Sequence, residues 1–160
     1  MSKIKSKIPF LLTLLLFFSV VLLPLSCRTS EDTFLVTRVI DGDTIVLEGG
    51  EHVRYIGIDT PETGRPYYTE AKKANEELVL GKRVRMHMDV SDRDRYERLL
   101  RYVYADGTFV NAELVRRGLA RAKAYPPDTK YQKELAAIEK GAALQGDGLW
   151  SAEPSLPGKR

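Results

Sequence analysis

Past an apolar leader, the chain is dense first in β-forming residues, and a helical pattern follows. Phe34-Leu35-Val36-Thr37-Arg38-Val39-Ile40 is dense in β-forming residues, and Thr44-Ile45-Val46-Leu47 follows a short acidic turn. Glu48-Gly49-Gly50-Glu51 has the composition of a hairpin turn. Val53 to Ile58 predicts a third strand, ended by Asp59-Thr60-Pro61, and three strands on short connections predict an antiparallel meander. The pattern then changes. Tyr67, Ala71, Ala74 and Leu78 recur at spacings of four, three and four, which is one helical face. Pro66 suits the first turn of that helix and Gly81 its C′ position. Val84, Met86 and Met88 alternate with Arg83, Arg85 and His87, predicting a fourth strand over Arg83 to Val90. Ser91 to Arg98 is charged without an apolar period and reads as a loop. Leu99 to Tyr104 predicts a fifth strand, turned by Ala105-Asp106-Gly107 into Thr108-Phe109-Val110.

Asn111 is placed to N-cap a short helix that ends near Arg117, with Gly118 closing it. Tyr125-Pro126-Pro127 is a stiff connection, after which Asp128 or Thr129 is expected to cap a last helix. That helix carries Tyr131, Leu135, Ile138 and Ala142 on one face, and Gly146-Asp147-Gly148 ends it. Leu149-Trp150 is expected to pack back on the domain. Five strands, a helix inserted after the third and two more helices behind them give an α+β chain. A small OB-type antiparallel barrel with three helices is one of several arrangements that this order allows.

The N-terminus changes the picture of where the protein acts. Lys3, Lys5 and Lys7 precede an almost wholly apolar stretch from Ile8 to Leu25. Leu25-Ser26-Cys27 resembles a lipoprotein signal site, in which cleavage before the cysteine is followed by lipid attachment to its sulfur. The alternative is a plain signal peptide, or an uncleaved anchor, with an incidental thiol. The expected organisation is a leader at 1–27, a tether at 28–32, one domain at 33–150 and a tail at 151–160. Export follows from either leader reading, and the expected location is a membrane-held protein facing the periplasm or exterior, or a secreted one. Cys27 is the only cysteine, so no intrachain disulfide forms. The 25 basic and 22 acidic residues give a net charge of +3, and the leader supplies three of the lysines and no acid. The remainder is therefore neutral, which excludes a uniformly basic, nucleic-acid-coating surface.

Candidate chemistry lies at two strand ends. Asp41-Gly42-Asp43-Thr44, Arg54 and Asp59-Thr60-Pro61-Glu62 put carboxylates near the ends of adjacent hairpin strands, where an oxygen-only donor set suits a hard cation such as Ca²⁺. Taken alone, Asp41-Gly42-Asp43 is as readily an ordinary turn. An EF-hand is excluded, because its fifth and twelfth positions counted from Asp41 are Ile45 and His52. Together with Tyr96-Glu97-Arg98, Tyr102-Val103-Tyr104-Ala105-Asp106-Gly107 and Asn111 to Leu119, these segments resemble the staphylococcal nuclease family, in the family's order and over nearly all of Thr33 to Trp150.

The resemblance implies a five-stranded OB barrel with three helices, and an enzyme that hydrolyses DNA and RNA phosphodiesters with Ca²⁺. It implies that Asp43 and Asp59 ligate the cation through carboxylates and Thr60 through its carbonyl, with Asp41 supporting from just outside. Glu62 would orient or deprotonate the attacking water. Arg54 and Arg98 would hold the phosphate and stabilise the charge that grows as phosphorus becomes five-coordinate. Tyr96 would stack on a base or sugar, or else be buried. Scission leaving 3′-phosphate ends, a preference for single strands and action as a monomer are further expectations. Physical chemistry favours guanidinium for the phosphate, since its planar fork grips two oxygens and stays charged. His52 and His87 match no motif and read as surface or packed residues. One departure stands out: Glu97 occupies a position where the family commonly has glycine. A non-catalytic OB module that captures nucleic acid is the alternative, and a structural surface lipoprotein a third reading.

Overall fold

The computed structural model describes residues 32–151. The leader, Cys27, the first four tether residues and the tail after Ser151 lie outside the described residues. Among the described residues no helix is long and apolar enough to cross a membrane.

The meander forms as predicted. Strands β1 (Thr33–Val39), β2 (Thr44–Leu47) and β3 (His52–Tyr55) pair antiparallel in sequence order. Opposed pairs such as Val39 with Ile45 and Ile45 with Val53 put the apolar set on one face. A bulge between Val36 and Arg38 bends β1. Strand β5 (Arg83–His87) lies antiparallel to β1 on one side and to β6 (Leu99–Ala105) on the other. The cylinder closes when β3 and β6 run parallel, with Arg54 opposite Leu100. The result is a closed five-stranded barrel, whose bore holds Val36, Ile45, Val53, Tyr55, Val84 and Val103, all buried.

Helix α1 (Tyr68–Val79) follows the short strand β4 (Ile58–Asp59). A two-residue strand β7 (Thr108–Phe109) leads into α2 (Val110–Arg116). Strand β8 (Arg121–Ala122) then pairs with β4, and α3 (Gln132–Gln145) precedes a final 3₁₀ turn over Gly148–Trp150. Leu135, on the predicted face of α3, is fully buried and helps to cap the barrel.

Four local expectations are corrected. The third strand is not continuous to Ile58, because Gly57 adopts φ 79° and breaks it into β3 and β4. That positive φ favours glycine, and a Cβ at this position would also lie 2.7 Å from Leu135 Cδ1. The fourth strand ends at His87, beyond which the Val90 and Ser91 amides donate to the Asp128 carboxylate instead of to a neighbouring strand. That bond also removes Asp128 from capping α3, whose N-cap is Tyr131. Asn111 is no cap either. It sits inside α2, fully buried, accepting from the Val103 amide at 3.0 Å and donating to the Ile56 carbonyl at 2.9 Å. It therefore ties the helix to two strands.

Candidate active site

The acidic turn between β1 and β2 is built from the backbone outward. The Ile40 amide donates to the Thr44 carbonyl at 2.9 Å, and the Asp43 amide donates to Asp41 Oδ1 at 3.0 Å, an Asx turn. Gly42 is needed because the turn presses on Thr60, whose side-chain atoms would lie 2.7–2.8 Å from a Cβ at this position. From α1, the fully buried Asn75 donates to the Asp41 carbonyl at 3.0 Å and accepts from the Tyr55 hydroxyl at 2.9 Å. The turn is thus anchored to the helix below it.

Asp43 is 5% exposed, and four groups surround its carboxylate. Oδ2 accepts from the Thr60 amide at 2.8 Å and the Thr60 hydroxyl at 2.9 Å. Oδ1 faces Arg54 Nε at 3.1 Å and the Thr44 hydroxyl at 3.3 Å. Burial pushes the Asp43 carboxyl up to about 6, against the lowering effect of Arg54, and the Asp41 charge adds to the rise. Arg54 spans the centre, with Nη2 reaching Asp59 Oδ1 at 3.2 Å and Nη1 donating to the Tyr55 carbonyl at 2.6 Å. Asp59 also meets Lys123 Nζ at 3.0 Å and the Tyr125 hydroxyl at 3.4 Å.

The opposite wall is the loop Ser91 to Arg98, organised by one carboxylate. Asp94 Oδ1 accepts from the amides of Tyr96 and Arg98 at 2.9 and 3.1 Å, and Oδ2 takes Arg98 Nε at 2.8 Å and Nη2 at 2.7 Å. Burial alone would raise the Asp94 carboxyl, but these bonds outweigh it and hold the group below its usual range. Tyr96 is 64% exposed, with the guanidinium carbons of Arg95 and Arg98 at 4.8 and 5.5 Å from its ring centre. The buried alternative for Tyr96 is thereby removed. His52 and His87 are both exposed, and His87 packs against Tyr104 with ring centres 5.0 Å apart.

Between the walls lies a cleft of about 700 Å³ lined by Asp41, Asp43, Arg54, Asp59, Glu62, Tyr96 and Arg98, among others. It gathers every expected site residue except Thr60, which lies buried beneath it, and Cys27. The Glu62 carboxylate is exposed and makes no hydrogen bond or ion pair among the described residues. A family profile described as Staphylococcal nuclease homologue matches residues 52–152. A thermonuclease of Staphylococcus hyicus is 38% identical over 133 residues, covering 78% of this chain and 79% of that protein.

The chain belongs to the staphylococcal nuclease family. Endonuclease YncB of Bacillus subtilis is 43% identical over 125 residues, which is 71% of this chain and 59% of that protein. A thermonuclease of Staphylococcus intermedius is 38% identical over 128 residues, 74% of this chain and 76% of its own length. In this nuclease-family chain the acidic groups are not a preformed cage. Among the described residues no group of three or more His, Cys, Asp or Glu side chains is arranged to hold a metal ion. The physical reason is visible: Arg54 lies between Asp43 and Asp59, and Lys123 sits on Asp59. The donors themselves fit a hard cation, being all oxygen and anionic. Sequence reasoning missed Lys123 and Tyr125. Their spacing from Asp59 in the chain carries no signal, and only the β4–β8 ladder brings them there.

Proposed function

We propose that the protein is a Ca²⁺-dependent nuclease that hydrolyses DNA and RNA phosphodiesters without strong sequence preference, leaving 3′-phosphate ends. The carrying observation is the cleft that combines two arginines, an exposed glutamate and a buried aspartate. Asp43, Asp59 and the Thr60 carbonyl would hold the cation, with Asp41 supporting the turn behind them. Bound there, Ca²⁺ supplies positive charge to the phosphoryl oxygens and to the nucleophilic water.

The chain's own groups do the rest. Arg54 and Arg98 grip nonbridging phosphate oxygens and gain most when those oxygens carry extra charge, so they favour the five-coordinate state over the bound diester. In the free protein Asp94 holds Arg98, while Asp43 and Asp59 hold Arg54, so both guanidiniums are oriented before substrate arrives. Glu62 orients the attacking water or takes its proton. Tyr96 offers an exposed ring on which a base or sugar stacks, and the shallow cleft suits single-stranded or locally unpaired chains. Export and retention at the membrane through a lipid on Cys27 belong to the same reading, supported by the basic and apolar leader.

The test is hydrolysis of single-stranded DNA by the purified protein in Ca²⁺ and in EDTA, beside Glu62→Gln and Arg98→Ala. Each variant is expected to lose about 10²–10⁴-fold in rate while remaining folded. Folded wild-type protein that binds DNA but shows no Ca²⁺-dependent cleavage would instead establish the capture module. The mass of the mature N-terminus, with and without globomycin, tests the lipid.

A further inference from the structure

The strand that delivers Lys123 to Asp59 is a dedicated piece of architecture. β4 and β8 are two residues each and pair only with one another. The ladder is extended by the Lys123 amide donating to the Gly57 carbonyl at 2.9 Å, which fixes the Lys123 backbone beside the acidic strand end. Its Nζ then lies 3.0 Å from Asp59 Oδ2, on the oxygen that Arg54 does not take. Tyr125 backs the contact, with its ring centre 5.2 Å from Nζ and its hydroxyl donating to Asp59 Oδ1. Groups of the chain itself therefore occupy both oxygens of Asp59.

We infer that Lys123 is an internal counter-ion that competes with the divalent cation for Asp59, and so sets the Ca²⁺ concentration at which the site fills. The inference rests on the reading that Asp59 is a Ca²⁺ ligand. A hard cation needs the carboxylate lone pairs that the ammonium now occupies, and a unit positive charge a few ångströms away repels it further. The Lys123 side chain is 50% exposed, so it can leave Asp59 for water at little cost, and the competition lowers affinity without abolishing it. Arg54, only 12% exposed, has no comparable exit and remains in the site to meet phosphate. Lys123 thus neutralises Asp59 in the metal-free protein and yields it when the cation arrives.

Calorimetric titration of the full-length, EGTA-stripped protein with CaCl₂ tests this, using Lys123→Met, Lys123→Arg and, as a control of equal charge, the exposed Lys140→Met. Lys123→Met is expected to bind Ca²⁺ about three- to tenfold more tightly than wild type, with the other two near wild type. A second readout is thermal unfolding without metal. There Lys123→Met should melt about 2 °C lower, a deficit that saturating Ca²⁺ removes. Equal Ca²⁺ affinities for wild type, Lys123→Met and Lys140→Met would overturn the competition while leaving the cation site intact. Absence of Ca²⁺ binding by both wild type and Lys123→Met would overturn the site itself, and the competition with it.

Discussion

Glu97 is held at φ 63°, in the left-handed region, one residue before Arg98. An L-residue there costs about 1–2 kcal/mol, because Cβ crowds the following carbonyl. Glycine removes that cost but adds freedom to the unfolded chain worth about 0.5–1 kcal/mol. Glu97→Gly should therefore stabilise the fold by about 0.5–1 kcal/mol, raising the midpoint by about 2–5 °C. Glu97→Ala keeps Cβ and should gain nothing. The contacts that this residue makes through its backbone, its amide to the Asp94 carbonyl at 3.1 Å and Arg93 Nη1 to its carbonyl at 2.7 Å, survive both changes. Urea unfolding followed by the emission of Trp150, the only tryptophan, measures both variants at unchanged m-value. Both also delete an exposed negative charge beside Arg98, so each should bind a single-stranded oligonucleotide about two- to threefold more tightly. Equal stability of the alanine and glycine variants would refute the strain argument. A binding gain confined to glycine would refute the electrostatic one.

Two further outcomes test the scaffold. The Glu113 carboxyl is held down at about 2, first by hydrogen bonds from Arg116 and then by Arg117, against the opposing effect of burial. A depressed folded value contributes stability that is present above 4.5 and lost as pH falls from there towards 2. Glu113→Gln should cost about 1–2 kcal/mol at neutral pH, discounted for the exposed Arg116, and nothing near the acid end of that window. Urea midpoints measured across the range check the convergence. Asn111→Leu leaves the Val103 amide and Ile56 carbonyl unpaired inside the barrel, and should cost about 2–5 kcal/mol by the same assay.

Much of this protein was legible from local pattern. Density of β-forming residues between turn residues gave the meander, period 3.6 gave α1 and α3, and Asp41-Gly42-Asp43 at a tight turn beside Asp59-Thr60-Pro61-Glu62 gave the acidic pole of the cleft. These are decided by neighbours a few residues apart, through side-chain alternation and turn sterics, so a sequence carries them directly. The motifs in their order also identified the family. Tertiary structure alone decided the parallel β3–β6 closure that makes a barrel of five strands, since pairing over such separations leaves no period to read. It turned Asn111 and Asp128 from helix caps into braces between distant strands and loops, because a buried amide or carboxylate takes whichever partner the packing presents. It broke the third strand at Gly57, where Leu135 from a helix nearly 80 residues later claims the space of a side chain. And it brought Lys123 to Asp59 through a two-residue ladder, an electrostatic contact between groups 64 residues apart that no reading of one strand could contain.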